Sequence, residues 1–446
     1  MKSGTIYALA TANGPAGVAV IRLSGPEAGE ALRHLTGAAP PAPRRLVRMR
    51  FTDPRNGETL DDGLGAWFAA PGSFTGEDVV EFHLHGGRAV VAGVLAALGR
   101  IEGLRLAEPG EFTRRAFENG KMDLTAAEGL ADLVAAETAA QRRQALRQMQ
   151  GALGALYEGW RHDLLGGLAH VEAAIDFADE DLPEGLIEGV RVRVATLRDA
   201  MAAHLADGRR GERLRDGVHV AIIGPPNAGK SSLLNLLARR EAAIVADTAG
   251  TTRDVIEVHL DLGGLPVVVA DTAGLREGGD AIECEGVRRA EARAAEADVR
   301  IAVFDATRWP AADGRAAALV DSATVVVINK SDLATPPPPL AVGGVSALAV
   351  SVRTGAGIED LLAKLAAAVA ARCPAAGAPA MTRARHREAL EDCVAALDRF
   401  VGGSAATPEL AAEDLRLATR ALGRITGRVD VEDMLDVIFR DFCIGK

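Results

Sequence analysis

A short apolar run at residues 218–223 (VHVAII) leads directly into Gly224-Pro225-Pro226-Asn227-Ala228-Gly229-Lys230-Ser231, and a helical stretch follows over 232–240. A strand, a glycine-bounded loop and a helix in that order leave the first N–H groups of the helix pointing into the loop, where they attract negative charge. The octapeptide fits G-x-x-x-x-G-K-[ST]: the loop cradles phosphate oxygens, Lys230 reaches the β and γ phosphates, and Ser231 ligates Mg²⁺. A unit of this kind belongs in a doubly wound parallel sheet. The flanking pattern agrees, with apolar strands expected at 218–223, 267–270, 300–305, 324–329 and 348–352, separated by helical stretches to about residue 369. A hairpin turning at Leu262-Gly263-Gly264-Leu265 adds an antiparallel edge strand over 255–261. The prolines at 336–339 fall in a loop, since they cannot donate to a ladder.

Further along, Asn329-Lys330-Ser331-Asp332 closes a strand. A carboxylate at Asp332 accepts from the N1–H and exocyclic amine of guanine, whereas adenine presents an acceptor at N1 and leaves the charge unpaired. Asn329 braces the base and the adjoining loop, and the Lys330 stem lies over the ring. Alone, N-K-x-D is a common surface tetrapeptide; behind a phosphate loop it points to GTP. Asp271-Thr272-Ala273-Gly274 ends another strand, where Asp271 can hold Mg²⁺ through water and the Gly274 amide can sense the γ-phosphate. Thr251-Thr252-Arg253-Asp254 lies between these motifs and lets a threonine close over the metal. Four such motifs in this order resemble the Ras-like GTPases. A fifth, supporting the base, is open between Ser346-Ala347 and Ser351-Val352-Arg353, the latter preferred because it follows a strand and precedes Thr354-Gly355. Leu275 stands where a Ras-type enzyme has the glutamine that orients water, so either hydrolysis is slow or a carboxylate within 276–291 substitutes. No arginine finger is evident, which leaves the transition-state charge to a bound cation or a partner.

Outside this segment the pattern changes. Residues 5–119 alternate short β-like runs, 17–23, 64–68 and 79–84, with turn signals, as in an α+β domain. No proline occurs between Pro109 and Pro183, and Leu146, Met149, Leu153, Leu156, Trp160, Leu164, Leu168, Val171 and Ile175 recur at spacings of three and four, predicting one long helix. After Pro374 helices are expected at 383–400, 408–424 and 431–439. Helices on both sides of the α/β segment fit one helical domain carrying an inserted GTPase domain.

The 446 residues allow several cores, and 48% hydrophobic with 25% charged composition excludes wholesale disorder. A net charge of -11 argues against a broad basic clamp for nucleic acid, though not against a local patch, and 4% aromatic content limits base-stacking platforms. Cys284, Cys373, Cys393 and Cys443 form no C-x-x-C pair, which predicts neither a zinc site nor a disulfide framework. The first twenty residues lack the apolar core of an export signal and no run is long enough to span a bilayer, so a cytoplasmic protein without a membrane role is expected.

Several blocks narrow the family: Thr5-Ile6-Tyr7-Ala8-Leu9-Ala10-Thr11, GVAVIRLSG at 17–25, SFTGED at 73–78, PGEFT at 109–113, Arg115-Ala116-Phe117 and the terminal Cys443-Ile444-Gly445-Lys446. Together with the GTPase segment they resemble, over essentially the whole length, the MnmE (TrmE) family of tRNA uridine-5-carboxymethylaminomethyl modification GTPases. The resemblance implies a folate-binding-like dimerisation domain at 1–120, a helical domain in two parts at 121–214 and 374–446, and a Ras-like P-loop GTPase domain inserted at 215–373. It implies a homodimer that forms a heterotetramer with the FAD-dependent MnmG. The complex places an aminomethyl or carboxymethylaminomethyl group on C5 of the wobble uridine (position 34) of certain tRNAs, with 5-formyltetrahydrofolate or a related tetrahydrofolate giving the one-carbon unit. K⁺ promotes pairing of the GTPase domains and replaces an arginine finger.

By motif, the resemblance assigns Asn227 and backbone groups of Ala246, Thr248 and Thr251 to K⁺, and Ser231 and Thr252 to Mg²⁺. Nucleotide contacts extend over Ala228, Gly229, Lys230, Ser232, Asp247, Ala249, Gly250, Asp271, Thr272, Ala273, Gly274, Asn329, Lys330, Ser331, Asp332, Ser351, Val352 and Arg353. Glu283 becomes the water-orienting carboxylate, Cys443 the catalytic tail cysteine, and Arg22, Glu81, Lys121 and Lys446 the folate residues. Valine at 352, where alanine is usual, adds bulk beside the base. Without the resemblance, Arg22 and Lys121 read as surface ion-pair residues and Glu81, His83 and His85 as a polar strand face; Arg416, Arg420 and Arg424 line one helical face at spacing four, open between a contact to tRNA phosphates and a solvated stripe, the latter preferred. Cys443 sits four from the end, yet Gly445 and Lys446 do not fit a prenylation signal.

Overall fold

The computed structural model describes residues 4–177, 186–240, 243–244, 257–271, 294–310, 313–335, 340–373, 379–403, 408–429, 432–440, 442 and 445. The chain divides into two compact units. One comprises Met1–Ala131, Gln148–Arg161 and Leu422–Lys446, the other Asp132–Arg147 and His162–Ala421.

The first unit is built on a six-stranded sheet of β1 (Thr5–Leu9), β2 (Ala16–Ser24), β3 (Leu46–Thr52), β4 (Thr59–Phe68), β5 (Val79–Gly86) and β6 (Leu104–Leu106), in the order β3-β4-β5-β2-β1-β6. All neighbours are antiparallel except β1 and β6. Alternation sets its two faces. Ile21, Leu23, Val80, Phe82 and Leu84 point to a core closed by helices Ala28–Thr36 and Arg88–Leu98, whereas Arg22 and Glu81 point the other way, toward the small cluster of Ile6, Ala8, Ala107 and Phe112. Helix Ala28–Thr36 buries Ala28, Ala31, Leu32 and Leu35 on one stripe and stops at Gly37, whose left-handed φ of 68° closes the last turn.

Helices Leu124–Ala135 and Glu432–Arg440 contribute Leu124, Ala127, Leu435 and Phe439 to a further cluster with Phe442. Gly110 is needed there: at φ 67° a Cβ would stand 2.7 Å from the Phe439 carbonyl. The expected single helix from Leu146 onward is two, Ala139–Met149 and Ala152–Asp176, because Gly151 takes a left-handed φ of 88° between them.

The second unit holds an eight-stranded sheet of β7 (Val218–Ile223), β8 (Ala243–Ile244), β9 (Glu257–Leu262), β10 (Leu265–Asp271), β11 (Val299–Asp305), β12 (Thr324–Asn329), β13 (Ala341–Val342) and β14 (Val345–Ala349). Their order is β13-β14-β12-β11-β7-β10-β9-β8. The five strands from β14 to β10 run parallel, β9 returns antiparallel on β10, and the two-residue strands β8 and β13 form the edges. The hairpin strand expected at the edge is therefore covered by β8. The strand expected at 348–352 lies three residues earlier, because Ser351 leaves the ladder to bond the neighbouring loop. Strands buried on both faces read as near-continuous Val/Ile runs, as β12 does and as β7 does beyond its exposed His219. One face packs helices Lys230–Ala238 and Ile358–Ala370, the other Ala294, Ala316 and neighbours.

Helix Leu186–Leu205 was not foreseen from the sequence; it packs on Ala384–Gly402, with Cys393 Sγ 3.7 Å from Met201 Sδ. Arg387 fixes this end by ion pairs to Asp207 (2.8 Å) and Glu212 (3.0 Å). Among the described residues no helix is long and apolar enough to cross a membrane, and no cluster of three or more His, Cys, Asp or Glu could hold a metal ion.

Candidate functional site

The loop after β7 is shaped by close approaches that exclude side chains. Gly224 at φ 145° has no room for a Cβ, which would fall 2.2 Å from the Val303 carbonyl. Gly229 at φ 100° would place one 2.2 Å from Asn329 Nδ2. The second contact means that the turn presenting amides at the helix start is pressed against the strand end that carries the base-recognition motif. Lys230 donates to the carbonyls of Gly224 (2.9 Å) and Pro225 (3.0 Å), which sets its ammonium across the loop. Ser231 and Ser232 follow in the first turn of helix Lys230–Ala238, and Ala228 is fully buried.

Asn329 is buried at the end of β12 and joins two loops. Its Nδ2 donates to the Ala228 carbonyl at 2.9 Å, and its Oδ1 accepts from the Val352 amide at 3.1 Å. Lys330, left-handed at φ 66°, sends its ammonium to the Asn227 carbonyl (2.7 Å) and the Asp305 carboxylate (2.7 Å). Ser331 donates its amide to the Val350 carbonyl.

Asp332 Oδ1 accepts from the Ser351 hydroxyl at 2.6 Å, and Arg353 Nε lies 2.9 Å from Oδ2. That approach is off the hydrogen-bonding direction, so among the described residues Oδ2 has no hydrogen-bond donor. The Ser351 hydroxyl, with the Arg353 charge assisting, holds the carboxyl below its ordinary value. Asp332 is therefore an ionised acceptor braced on one oxygen, suited to the paired donors of guanine.

Of the two candidate base-supporting segments, Ser351-Val352-Arg353 bonds to Asn329 and Asp332, whereas Ser346 and Ala347 lie inside β14. The Val352 side chain packs on the apolar core, which absorbs its extra bulk. Asp271 ends β10 in register with Ile222, one strand from the phosphate loop. Ala246, Asp247, Thr248, Ala249, Gly250, Thr251, Thr252, Thr272, Ala273, Gly274 and Glu283 lie outside the described residues.

In the first unit Arg22 and Glu81 face each other across β2 and β5. Arg22 Nε donates to Glu81 Oε1 at 2.9 Å, and its guanidinium sits 5.8 and 5.9 Å from the ring centroids of Phe74 and Phe112. His83 Nε2 lies 3.5 Å from Glu81 Oε2. Glu81 thus answers the Arg22 charge, and no anionic ligand is needed to justify its partial burial. Lys121 is exposed, with its ammonium on the Pro71 carbonyl at 2.9 Å and its stem against Gly76, in the loop that carries Phe74. Cys443 and Lys446 lie outside the described residues, but Gly445 abuts β1: a Cβ there would be 2.2 Å from the Leu9 carbonyl.

The family model described as "GTP-binding protein TrmE N-terminus" matches residues 5–121, and "MnmE helical domain" matches 124–443. A "tRNA modification GTPase MnmE" from Paramagnetospirillum magneticum is 61% identical over 444 residues, covering 100% of each chain. The chain belongs to the MnmE family of tRNA modification GTPases. Parvibaculum lavamentivorans has a relative of the same description, 62% identical over 99% of this chain and 100% of that one. The mitochondrial "5-taurinomethyluridine-[tRNA] synthase subunit GTPB3" of Homo sapiens is 50% identical over 99% of this chain and 93% of that one.

As an MnmE-family member the chain is a GTPase acting in tRNA modification, and the nucleotide cleft has physical parts that motif reading did not supply. Asp305 is one: a strand-end carboxylate that holds Lys330, visible in the sequence only as the last residue of an apolar run. Another is the network beneath the family-defining blocks. Arg115 is buried and bonds Glu77 Oε2 at 2.9 Å, Glu111 Oε1 at 3.1 Å and the Gly4 carbonyl at 2.9 Å, while Ser24 Oγ donates to Glu77 Oε2 at 2.6 Å. The SFTGED, PGEFT and Arg115 blocks are thereby one ionic cluster that fixes β1, β2 and the Phe74 loop beside Arg22. Arg416 is ion-paired to Glu172 (2.9 Å) and Glu413 (3.3 Å), as an exposed charge on a helix commonly is.

Proposed function

We propose that the chain is a K⁺-stimulated GTP hydrolase that works as a homodimer with an FAD-dependent partner of the MnmG kind in the cytoplasm. Together they add an aminomethyl or carboxymethylaminomethyl group to C5 of the wobble uridine of certain tRNAs, with a tetrahydrofolate giving the one-carbon unit. Membership of the family supports this beyond GTP hydrolysis, and the observation that supports the folate part is the Arg22–Glu81 pair beside Phe74 and Phe112, with exposed Lys121 against the Phe74 loop. An acid–base pair suits the amide-bearing ring of a pterin, and an exposed lysine suits the carboxylate tail of such a ligand.

In the GTPase unit the loop amides and Lys230 bind the phosphates, and Asp332 with Asn329 selects guanine. Ser231, at the start of its helix, and Thr252 would hold Mg²⁺, which neutralises phosphate charge. Asn227, held in a left-handed turn of the phosphate loop, would offer oxygen to K⁺ together with backbone groups of Ala246, Thr248 and Thr251. Glu283 would orient the attacking water in place of the absent glutamine, and Cys443 would act in the modification step. Calorimetric titration with 5-formyltetrahydrofolate tests the folate reading: binding that is lost in Arg22→Ala supports it, and no heat from a folded dimeric sample refutes it.

A further inference from the structure

We infer that Asp305 is a positioning residue that ties the guanine-side loop to the Asn227 end of the phosphate loop, through the Lys330 ammonium. Its cation half rests on the assignment of Asn227 to K⁺. Asp305 ends β11 in register with Asn329, and only 10% of its side chain is exposed. The two carboxylate oxygens have separate duties. Oδ1 accepts from the Thr307 amide (2.9 Å) and hydroxyl (2.7 Å), which fixes the plane of the group; Oδ2 meets Lys330 Nζ at 2.7 Å. Burial alone would raise the carboxyl pKa, but the bonds from Lys330 and Thr307 outweigh it and keep the group ionised.

The same ammonium donates to the Asn227 carbonyl at 2.7 Å. Asn227 has φ 61°, a left-handed conformation that asparagine adopts more readily than most residues and that aims its carbonyl at Lys330. The Lys330 bond is a direct tether on that peptide, whereas Asn329 holds the next residue, Ala228. Removing the Asp305 charge frees a half-exposed ammonium to turn into water. The Asn227 peptide then loses its tether while the Ala228 link survives, so the defect falls first on the side of the loop assigned to the monovalent cation.

The test uses the full-length chain and the variants Asp305→Asn, Asp305→Glu and Asp305→Ser. Serine keeps an oxygen for the Thr307 amide, so a lost cap does not obscure the result. Stopped-flow release of a fluorescent GDP and a KCl titration of GTP hydrolysis are measured for each. The Asn and Ser variants should release GDP about 5- to 30-fold faster, the effect of one charge-assisted hydrogen bond at a partly exposed site. Their half-stimulating KCl concentration should rise several-fold, while kcat at saturating GTP and KCl stays within about two-fold and the Glu variant recovers most of both losses. Unchanged GDP release in Asn and Ser variants overturns the inference, as does a fall in kcat with release and KCl dependence unmoved. Wild-type hydrolysis that is equal in KCl and NaCl refutes the cation reading instead, and Asp305 is then judged on GDP release alone.

Discussion

Replacing Asn329 by alanine separates the two halves of the nucleotide cleft and can be given a size. The substitution removes the bond to the Ala228 carbonyl (2.9 Å) and the one from the Val352 amide (3.1 Å). A hydrogen bond contributes about 1 kcal/mol net, and a buried group left without its partner costs about 1–3 kcal/mol. The Ala228 contact is buried, so it carries the full penalty; Val352 is half-buried, and water recovers part of its loss. The sum is about 2–3 kcal/mol, most of which GDP must supply by ordering the loops itself, so Kd should rise about 30- to 150-fold. Fluorescence titration with a labelled GDP measures this directly. Asn329→Asp sharpens the test: it keeps the acceptor for Val352 but turns an oxygen toward the Ala228 carbonyl, and should bind no better than the alanine variant. A folded alanine variant with Kd within about three-fold of wild type, or an aspartate variant with normal affinity, would refute the claim that this side chain holds the cleft together.

Gly229→Ala forces a Cβ to 2.2 Å from Asn329 Nδ2 at φ 100°; calorimetry should find GDP binding abolished, with about 1–3 kcal/mol of backbone strain lowering the melting temperature. Glu283→Ala should leave GTP affinity nearly intact and slow hydrolysis about 10²- to 10⁴-fold in single-turnover assays, whereas equal losses of both would place Glu283 in the binding site. Burial would raise the pKa of Glu111, but its bonds from Arg105, the Glu108 amide and Arg115 outweigh that and hold it below its ordinary 4.5. Its contribution to stability is therefore complete above about pH 4.5 and lost as pH falls through the lowered value. Melting curves of Glu111→Gln should show a lower midpoint than wild type near neutrality and a smaller further fall between about pH 5 and pH 3.

The phosphate loop and its sheet were legible because glycine spacing and apolar runs act locally: β7 and β12 begin and end where the sequence places them. Ends set by a neighbour were not. Ser351 reads as strand, yet its hydroxyl is drawn out of the ladder by Asp332. The apolar spacing carries one helix straight through Gly151, yet its left-handed turn divides the helix. Charge burial was the least legible feature. Arg115 and Glu77 stand in the sequence only as members of the family blocks, and it is the fold that closes Glu111, Ser24 and Gly4 around them; Asp305 reveals its role only where Lys330 reaches it from the end of the neighbouring strand.

A phosphate cradle and a guanine-selecting carboxylate are bonded into one cleft through Asn227, Ala228, Asn329 and Lys330. Competition of GTP and ATP against a labelled GDP on the wild-type chain reads out this selectivity. Displacement by GTP at stoichiometric concentrations, with ATP weaker by about 10³-fold or more, is predicted for a site whose ionised carboxylate is matched to the guanine donors. Equal displacement by the two nucleotides would contradict it.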